Sequence, residues 1–237
     1  MTTKLDLFPN KLLIETYDAS HISRLFVVGD IHGCYEELMN KLLEVNFNFD
    51  TDMVISVGDL VDRGKDSFKC VGLVKKSWFK AIRGNHEQMC LEASIAPEMK
   101  EFHCKHGGEW LYELTMQNYK EVLNICLNLP IVLEIAFRGK KYGFVHADIK
   151  QNDWSEFKNN ILKKDYFSES NSSTLQSALW GRSRILAKHS LKYQEIIGIH
   201  EVYLGYTVVD FPVYKDNCIY IDTGAVFGKQ LTVLEIK

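Results

Sequence analysis

The chain has 237 residues, of which 46% are hydrophobic and 25% charged, a composition that is typical of a folded globular protein and excludes a largely disordered one. With 28 basic and 31 acidic side chains the net charge is -3, so general affinity for nucleic acid or an anionic membrane is not expected. Since there is no signal-peptide pattern and no long apolar run, we expect a cytoplasmic protein. The length predicts one domain over residues 1–237, and we expect a monomer.

The first half of the chain predicts strands that alternate with helices. Short runs rich in β-branched or aromatic residues predict strands over residues 25–28, 53–57 and 79–82. Apolar spacing predicts helices over residues 35–46, 66–76 and 87–93. This alternation is typical of an α/β fold.

The second half of the chain predicts a change towards β-structure. Residues 98–128 are predicted to be helical around a break at Gly107 and Gly108. Strands are predicted over residues 131–136, 142–145, 202–204, 219–221 and 231–236. Residues 150–175 are rich in Asn and Ser and lack a steady period, which predicts a long loop with one helical turn. We therefore expect a second, β-rich sheet.

The cysteines and one group of histidines are predicted to have no chemical role. The six cysteines include no Cys-x-x-Cys pair, and a chain of this length does not need disulfides, so we expect reduced, mostly buried thiols. His103, Cys104 and His106 have a spacing that could bind zinc on a helix. A solvated helix, or a lid on the substrate side, is the preferred interpretation of that segment.

Three short polar motifs follow the first three predicted strands. They are Gly-Asp-Ile-His-Gly at residues 29–33, Gly-Asp-Leu-Val-Asp-Arg-Gly at 58–64 and Arg-Gly-Asn-His-Glu at 83–87. Because the carboxyl ends of the strands form the ligand crevice of an open α/β sheet, their side chains are expected to converge. Asp, His and Asn without cysteine suit Mn, Fe, Co or Zn. One such motif alone would indicate a polar turn, whereas three together indicate a metal centre.

In this order the motifs resemble the signature of the phosphoprotein phosphatases, G-D-x-H-G, G-D-x-V-D-R-G and G-N-H-E. The similarity is to the serine/threonine phosphatases of bacteria and bacteriophage lambda. It continues at residues 144–148, 180–182 and 220–226, and it covers about residues 24–236. The resemblance implies an α/β fold, the calcineurin-like metallophosphoesterase α/β/β/α sandwich, in which helices flank two mixed sheets.

The resemblance also implies two divalent metal ions. One would be bound by Asp30, His32 and Asp59, and the second by Asp59, Asn85 and His146, so that Asp59 bridges them. Mn²⁺ is the expected metal, with Fe, Zn, Co and Ni as alternatives. Such a pair of ions can lower the pKa of a shared water molecule towards neutrality and direct the resulting hydroxide in line at the phosphorus atom.

A general acid is expected beside the metals. His86 neighbours a predicted ligand and could protonate a serine leaving group, which is a poor leaving group without a proton. Asp62 is expected to orient His86.

Three arginines occupy positions where the resemblance places phosphate-binding side chains: Arg63, Arg83 and Arg182. Gly181 stands where a larger polar residue is expected, so the alignment could instead favour Arg184. Of these two arginines we choose Arg182.

Position 206 departs from the family pattern. Family members have Gly-His-Thr where this chain has Gly205, Tyr206 and Thr207, and that histidine would complete the ligand set of the second metal. A neutral phenol is a weaker ligand than imidazole, so the second metal site is expected to be weakened. Three alternatives stay open: tyrosinate or water completes the site, the enzyme works poorly, or the chain only binds phosphate.

The predicted function is hydrolysis of phosphoserine and phosphothreonine in phosphorylated proteins or peptides, with phosphotyrosine as a further substrate. Enzymes that cleave diadenosine tetraphosphate or nucleotide-capped RNA carry similar motifs and are the alternative. Those relatives tend to read G-N-H-D, whereas this chain has Glu87, which favours the phosphatase. A non-catalytic protein that binds phosphorylated partners is the third hypothesis, but the retention of His86 and Asp62 argues against it.

Overall fold

Two mixed β-sheets lie at the centre of the computed structural model, which describes residues 7–9, 13–167, 173–187 and 192–237. The strands are β1 Ile14–Asp18, β2 Leu25–Val28, β3 Met53–Ser56, β4 Phe79–Ala81, β5 Val132–Phe137, β6 Lys140–Val145, β7 Glu201–Leu204, β8 Val213–Lys215, β9 Cys218–Tyr220 and β10 Val233–Ile236. The helices are α1 Tyr35–Glu44, α2 Ser67–Gly72, α3 Asn85–Ile95, α4 Pro97–Lys105, α5 Glu109–Tyr112, α6 Met116–Asn128, α7 Trp154–Ile161, α8 Thr174–Trp180 and α9 Ser183–Leu186.

Each sheet combines parallel and antiparallel pairs. The larger sheet has six strands in the order β1-β5-β6-β7-β9-β8, and the smaller sheet has four in the order β10-β2-β3-β4. In the smaller sheet β2, β3 and β4 run parallel, and β10 pairs antiparallel with β2. In the larger sheet β5 and β6 are antiparallel, and β7 runs parallel to both β6 and β9.

Apolar side chains cover both faces of the sheets. Leu25 and Val27 of β2 share one buried cluster with Leu133 of the larger sheet, which places this cluster between the sheets. Phe26 points the other way and belongs to a second cluster, together with Leu38 of α1. Because successive side chains of a strand point to opposite faces, helices must cover the outer faces. The predicted fold class, two mixed sheets flanked by helices, is confirmed.

The strands that carry the three motifs lie where the sequence predicts them. β2 matches the predicted bounds, and β3 and β4 each end one residue earlier than predicted. The motifs begin within two residues of the ends of these strands, which are parallel neighbours in one sheet. All three motifs therefore lie at the same edge of the smaller sheet.

The sequence does not predict β1 and β8, the two edge strands of the larger sheet. β1 pairs in parallel with β5, and β8 forms an antiparallel pair with β9. Both strands are short and partly exposed, so neither carries the apolar run that would identify it. Their conformation depends on pairing with a buried strand.

The region of residues 150–175 contains more helix than the single predicted turn. α7 extends over eight residues. The Asp153 side chain caps it by accepting a hydrogen bond from the Glu156 N–H at 2.8 Å. Its buried face consists of Trp154, Phe157 and Ile161. Polar residues around this face conceal the helical spacing. Residues 168–172 lie outside the described residues.

The helical region of residues 98–128 is divided twice. The first break separates α4 from α5 at the predicted position. The second precedes α6, where the Thr115 hydroxyl accepts a hydrogen bond from the Asn118 N–H at 3.3 Å. Among the described residues, no helix has the length and hydrophobicity that crossing a bilayer requires.

The six cysteines are free thiols, as predicted, and all except Cys104 are buried.

Candidate metal centre and active site

Residues with unusual backbone geometry concentrate at the edge of the smaller sheet where the motifs lie. The residues His32, Asp59, Asp62, Arg63 and Tyr206 adopt the left-handed conformation, with φ between 44° and 72°. This conformation costs a non-glycine residue about 1–3 kcal/mol, and such residues tend to cluster at functional sites. The surrounding structure must therefore hold these residues in place.

Two buried imidazoles direct a nitrogen atom at Asp59. His32 Nε2 lies 3.4 Å from Asp59 Oδ2, and His146 Nε2 lies 3.5 Å from Asp59 Oδ1. The Nδ1 atoms donate to the carbonyl oxygens of Val61 and Val57, both at 2.8 Å. Burial lowers the pKa of His32 to about 4 and also lowers the pKa of His146. Both rings are therefore neutral, and each keeps a lone pair on Nε2 that could bind a metal ion.

The two carboxylate oxygens of Asp30 have different surroundings. Oδ2 accepts a hydrogen bond from the Tyr206 N–H at 3.0 Å, whereas Oδ1 is buried and has no hydrogen-bond partner among the described residues. Gly205 leaves room for this oxygen, because a Cβ atom there would lie 2.0 Å from it. Burial raises the pKa of Asp30 well above its ordinary value, and the carboxylates of Asp222 and Asp59 raise it further. A cation beside Oδ1 would stabilise the ionised carboxylate.

Asn85 also faces an atom that cannot donate to it. Its Oδ1 lies 2.8 Å from His146 Nε2. The Nδ1 atom of the same ring already donates to the Val57 carbonyl. A neutral imidazole carries one proton, so in this orientation of the Asn85 amide both atoms of the contact are acceptors. A cation that both atoms bind would turn this repulsion into an attraction.

Asp59 lies at the centre of these contacts. Within the described part of the chain, two groups of buried side chains that include Asp59 are close enough to hold an ion: His32, Asp59 and His86, and Asp30, Asp59 and His146. This shared membership is what a bridging ligand requires. Asp30 lies with His146 rather than with His32, which differs from the predicted grouping. The oxygen and imidazole donors nevertheless fit two divalent cations.

His86 is held by a second carboxylate. Its Nδ1 donates to Asp62 Oδ2 at 2.6 Å, and its backbone N–H donates to Asp59 Oδ1 at 3.0 Å. Burial acts to lower the pKa of His86, but the carboxylates of Asp59 and Asp62 outweigh it and raise the pKa. His86 can therefore carry a proton on Nε2, beside the predicted metal positions. This arrangement suits a general acid.

The predicted arginines differ in their surroundings. Arg63 is exposed, and its guanidinium group donates to His32 Nε2 at 2.5 Å, so it lies at the site. Arg83 is 1% exposed and donates to the carbonyl oxygens of Leu7 and Leu127, both at 2.7 Å. The structure contradicts a phosphate-binding role for Arg83, because its guanidinium group joins Leu7 to α6 inside the core.

The structure favours Arg182 over Arg184. Arg184 is fully buried, and its guanidinium group donates to three backbone carbonyl oxygens. Arg182 is exposed and lies over the ring of Tyr206, with its guanidinium carbon 4.0 Å from the ring centre. Arg182 is thus free to contact a ligand at the site.

Tyr206 lies next to a predicted ligand of the second metal. Its ring is edge-on to that of His146, with the ring centres 5.5 Å apart. Burial raises the pKa of Tyr206, so its phenol is protonated and would be a weak ligand. Position 206 therefore lies beside the predicted second metal position, where a protonated phenol is a weaker ligand than an imidazole.

Glu87 fixes the loop that carries Asp59. The buried Glu87 carboxylate accepts hydrogen bonds from the N–H groups of Gly84, Asp59 and Leu60, at 2.8, 3.0 and 2.7 Å. In the sequence, Glu87 served only to distinguish between substrate classes. Its structural role was not predicted, because it depends on contact between the second and third motifs.

The sequence also misses two residues that contact Asp62. His103 is buried, with its Nε2 3.0 Å from Asp62 Oδ2. The Trp110 indole N–H donates to Asp62 Oδ1 at 2.7 Å. The interpretation of this segment as a solvated helix is therefore wrong for His103, since α4 and the turn at residues 107–108 pack onto the second motif. No local pattern signals these long-range contacts.

Comparison with known proteins identifies related sequences and folds. The profile of the calcineurin-like phosphoesterase family matches residues 23–221. Serine/threonine-protein phosphatase 1 of Salmonella typhimurium is 36% identical over 228 residues, which is 95% of this chain and 97% of that protein. An asymmetrical bis(5'-nucleosyl)-tetraphosphatase of Halalkalibacterium halodurans is 28% identical over 88% of each chain. A solved serine/threonine phosphatase from Saccharomyces cerevisiae has a similar fold, with a TM-score of 0.59 and 16% identity over 92% of this chain and 73% of that chain.

Proposed function

The chain belongs to the calcineurin-like phosphoesterase family and is a hydrolase, and we propose that it is a metal-dependent serine/threonine protein phosphatase. The observation that carries this proposal is the buried group around Asp59. The buried Oδ1 of Asp30 and the Nε2 atoms of His32 and His146 belong to this group. The Salmonella phosphatase, which is similar over nearly the whole chain, supports phosphorylated proteins as the substrate class.

The proposed site holds two divalent cations, for which Mn²⁺ is the first candidate. The residues that would bind them are Asp30, His32, Asp59, Asn85 and His146. When bound, the cations would supply an activated water molecule as the nucleophile and positive charge that offsets the phosphate. The protein supplies rigid positions for these ligands, in part because Glu87 holds the backbone of Asp59.

His86 is the proposed general acid. The oxygen of a water molecule forms a bond to phosphorus, and the bond between phosphorus and the serine oxygen breaks. The proton on His86 Nε2 passes to the departing oxygen, which leaves as the alcohol. Asp62 accepts the Nδ1–H of His86 at 2.6 Å and so sets the direction of the ring. The products are the dephosphorylated residue and inorganic phosphate, without a covalent intermediate on the protein.

Arg63 and Arg182 are the proposed phosphate-binding residues, since guanidinium groups pair well with phosphate oxygens. Arg63 donates to His32 Nε2, which is the atom that we assign to the metal. Its guanidinium group must therefore turn towards the phosphate when the site is filled. Arg182 would leave the face of Tyr206 in the same way.

Substrate assays test the proposed class of enzyme. With Mn²⁺, the purified protein is expected to hydrolyse phosphoserine and phosphothreonine peptides and 4-nitrophenyl phosphate, and a chelator is expected to stop this reaction. A phosphotyrosine peptide tests the additional substrate. Diadenosine tetraphosphate tests the alternative, which the tetraphosphatase relative supports and the G-N-H-E motif disfavours. If the protein cleaves diadenosine tetraphosphate and none of the phosphopeptides, the proposed protein phosphatase activity is wrong. If it hydrolyses none of these substrates with Mn²⁺, a protein that only binds phosphate is favoured.

Tyr206→His is expected to strengthen the second metal site. An imidazole at this position would add a ligand beside His146, so Mn²⁺ affinity and turnover at limiting Mn²⁺ should rise by roughly 10–100-fold. Isothermal titration calorimetry and activity as a function of Mn²⁺ concentration measure the two effects. Tyr206→Phe is the matched control, because it keeps the ring and removes only the hydroxyl group. Unchanged Mn²⁺ affinity in the histidine variant would show that position 206 does not limit the site.

A further inference from the structure

The turn between α4 and α5 places two additional donors on the carboxylate that holds His86. His103 of α4 is 0% exposed, and its Nε2 lies 3.0 Å from Asp62 Oδ2 and 3.2 Å from Oδ1. Trp110 of α5 donates its indole N–H to Asp62 Oδ1 at 2.7 Å. Together with the Nδ1–H of His86, three side chains direct hydrogen-bond donors at one buried carboxylate.

The direction of each hydrogen bond in this group follows from chemistry. Burial raises the pKa of Tyr112, so its phenol is protonated and can donate to His103 Nδ1 at 2.9 Å. The Nε2 atom of His103 then carries the ring proton and donates to Asp62. The indole N–H can only donate, and an ionised carboxylate can only accept. Each hydrogen bond in the series from Tyr112 through His103 and Asp62 to His86 therefore joins one donor to one acceptor.

Two glycines allow the turn to approach the second motif. A Cβ atom at Gly108 would lie 2.2 Å from His103 Nε2, so only glycine leaves room for this ring. Gly107 has a φ of +91°, and a Cβ atom there would lie 2.6 Å from the backbone nitrogen of Arg63. The Arg63 N–H donates to the Gly107 carbonyl at 3.1 Å. The contact between the turn and the motif is thus made by backbone as well as by side chains.

We propose that His103, supported by Trp110, is a positioning residue that fixes the Asp62 carboxylate and thereby aims the proton of His86 at the leaving group. This inference rests on the proposed function, because it takes His86 as the proton donor. Among the described residues, His86, His103 and Trp110 hold the Asp62 carboxylate, so without His103 and Trp110 the contact with His86 would remain and the carboxylate could rotate. Buried polar groups with all partners present are held rigidly, whereas partly satisfied ones are not.

A metal ion bound by the same residues is the competing explanation. Asp62, Cys90 and His103 are close enough to hold an ion. However, both oxygens of Asp62 already accept hydrogen bonds, and His103 Nε2 uses its proton in one of them. Burial also raises the pKa of Cys90 well above its ordinary value, which disfavours the thiolate that a metal would need. Hydrogen bonding explains the group more simply.

His103→Leu tests the proposal through its dependence on the leaving group. With Mn²⁺ bound, kcat for a phosphoserine peptide is expected to fall roughly 10-fold or more, which is part of the about 10²–10⁴-fold contribution of a general acid. The kcat for 4-nitrophenyl phosphate should change little, because 4-nitrophenolate leaves without a proton. For each substrate, the KM of the variant should be close to that of the unmodified protein. His103→Gln should restore much of the peptide activity, since its amide N–H can donate to Asp62.

Trp110→Phe is the second variant, in case His103→Leu does not fold, and it should show the same selective loss to a smaller extent. Glu101→Gln is the control on α4, because Glu101 is exposed and its ion pair is with Lys105 of the same helix, away from Asp62. The proposal requires a folded variant that keeps its Mn²⁺ affinity. In such a His103→Leu or Trp110→Phe protein, an equal fall in kcat for both substrates would overturn the proposal, and so would an unchanged kcat for both.

Proton NMR of the metal-free protein separates this inference from the proposed function. The Nδ1–H of His86, which donates to Asp62 at 2.6 Å, should give a strongly downfield resonance that shifts or broadens in His103→Leu. If the unmodified protein hydrolyses no phosphate ester, the proposed function fails and the NMR result still decides the role of His103. An unchanged resonance in a folded variant would show that His103 does not position the pair.

Discussion

Asp59→Asn is expected to reduce metal-dependent hydrolysis by more than about 100-fold for every phosphate ester, because it weakens both proposed metal positions at once. Asp59 is the residue shared by the two candidate ion-binding groups. Asparagine removes its charge and one acceptor oxygen. The fold should survive, since asparagine tolerates a φ of 51° and its Oδ1 can still accept the His86 N–H.

Thermal unfolding with and without Mn²⁺ measures the loss of metal binding directly. At a free concentration about 100 times its Kd, a ligand stabilises the folded state by about 2.7 kcal/mol. For a domain of this size, that corresponds to a rise in Tm of about 5–11 °C. The unmodified protein should show this rise, and Asp59→Asn should not.

Asp50→Asn is the matched control for this substitution, because Asp50 is an exposed carboxylate outside the site. It should behave like the unmodified protein in both the activity assay and the Tm measurement. A full Mn²⁺-dependent rise in Tm in Asp59→Asn would contradict the bridging position of Asp59. A Mn²⁺-dependent rise in Tm in Asp50→Asn but not in Asp59→Asn would agree with the bridging position of Asp59.

His86→Asn is expected to lower kcat for phosphoserine peptides by about 10²–10⁴-fold, which is the usual contribution of a general acid. The asparagine amide can still donate to Asp62, so the carboxylate keeps a partner. The kcat for 4-nitrophenyl phosphate should fall much less, because its leaving group is stable as an anion. Mn²⁺ affinity should change little if His86 is not a metal ligand.

Steady-state kinetics on both substrates, with calorimetric titration of Mn²⁺, distinguish the two possible roles of His86. His21→Asn is the control, since His21 is exposed and contacts Tyr17 rather than the site. A similar loss on both substrates together with weakened Mn²⁺ binding would identify His86 as a ligand instead of a proton donor. The second role is considered because His86 belongs to one of the two candidate ion-binding groups, together with His32 and Asp59.

The contrast between Arg63 and Arg83 shows why some of the site could not be predicted. Both arginines stand next to a glycine in a motif, and the sequence offers the same argument for each. Their environments differ because Leu7 and α6 supply carbonyl acceptors to Arg83 inside the core. Burial of this kind depends on how distant segments pack.

By itself, the sequence predicted the strand and helix alternation of the first half, and its resemblance to a known family implied the two mixed sheets and the candidate ligands. The alternation and the placement of the motifs are local features, because each motif begins within two residues of the end of a buried strand, and parallel neighbours bring such motifs to one edge. Only the tertiary structure decided that β1 and β8 are edge strands, that Arg83 is buried, and that His103 contacts Asp62. Those features require contacts between segments far apart in the chain, and local periodicity carries no information about them.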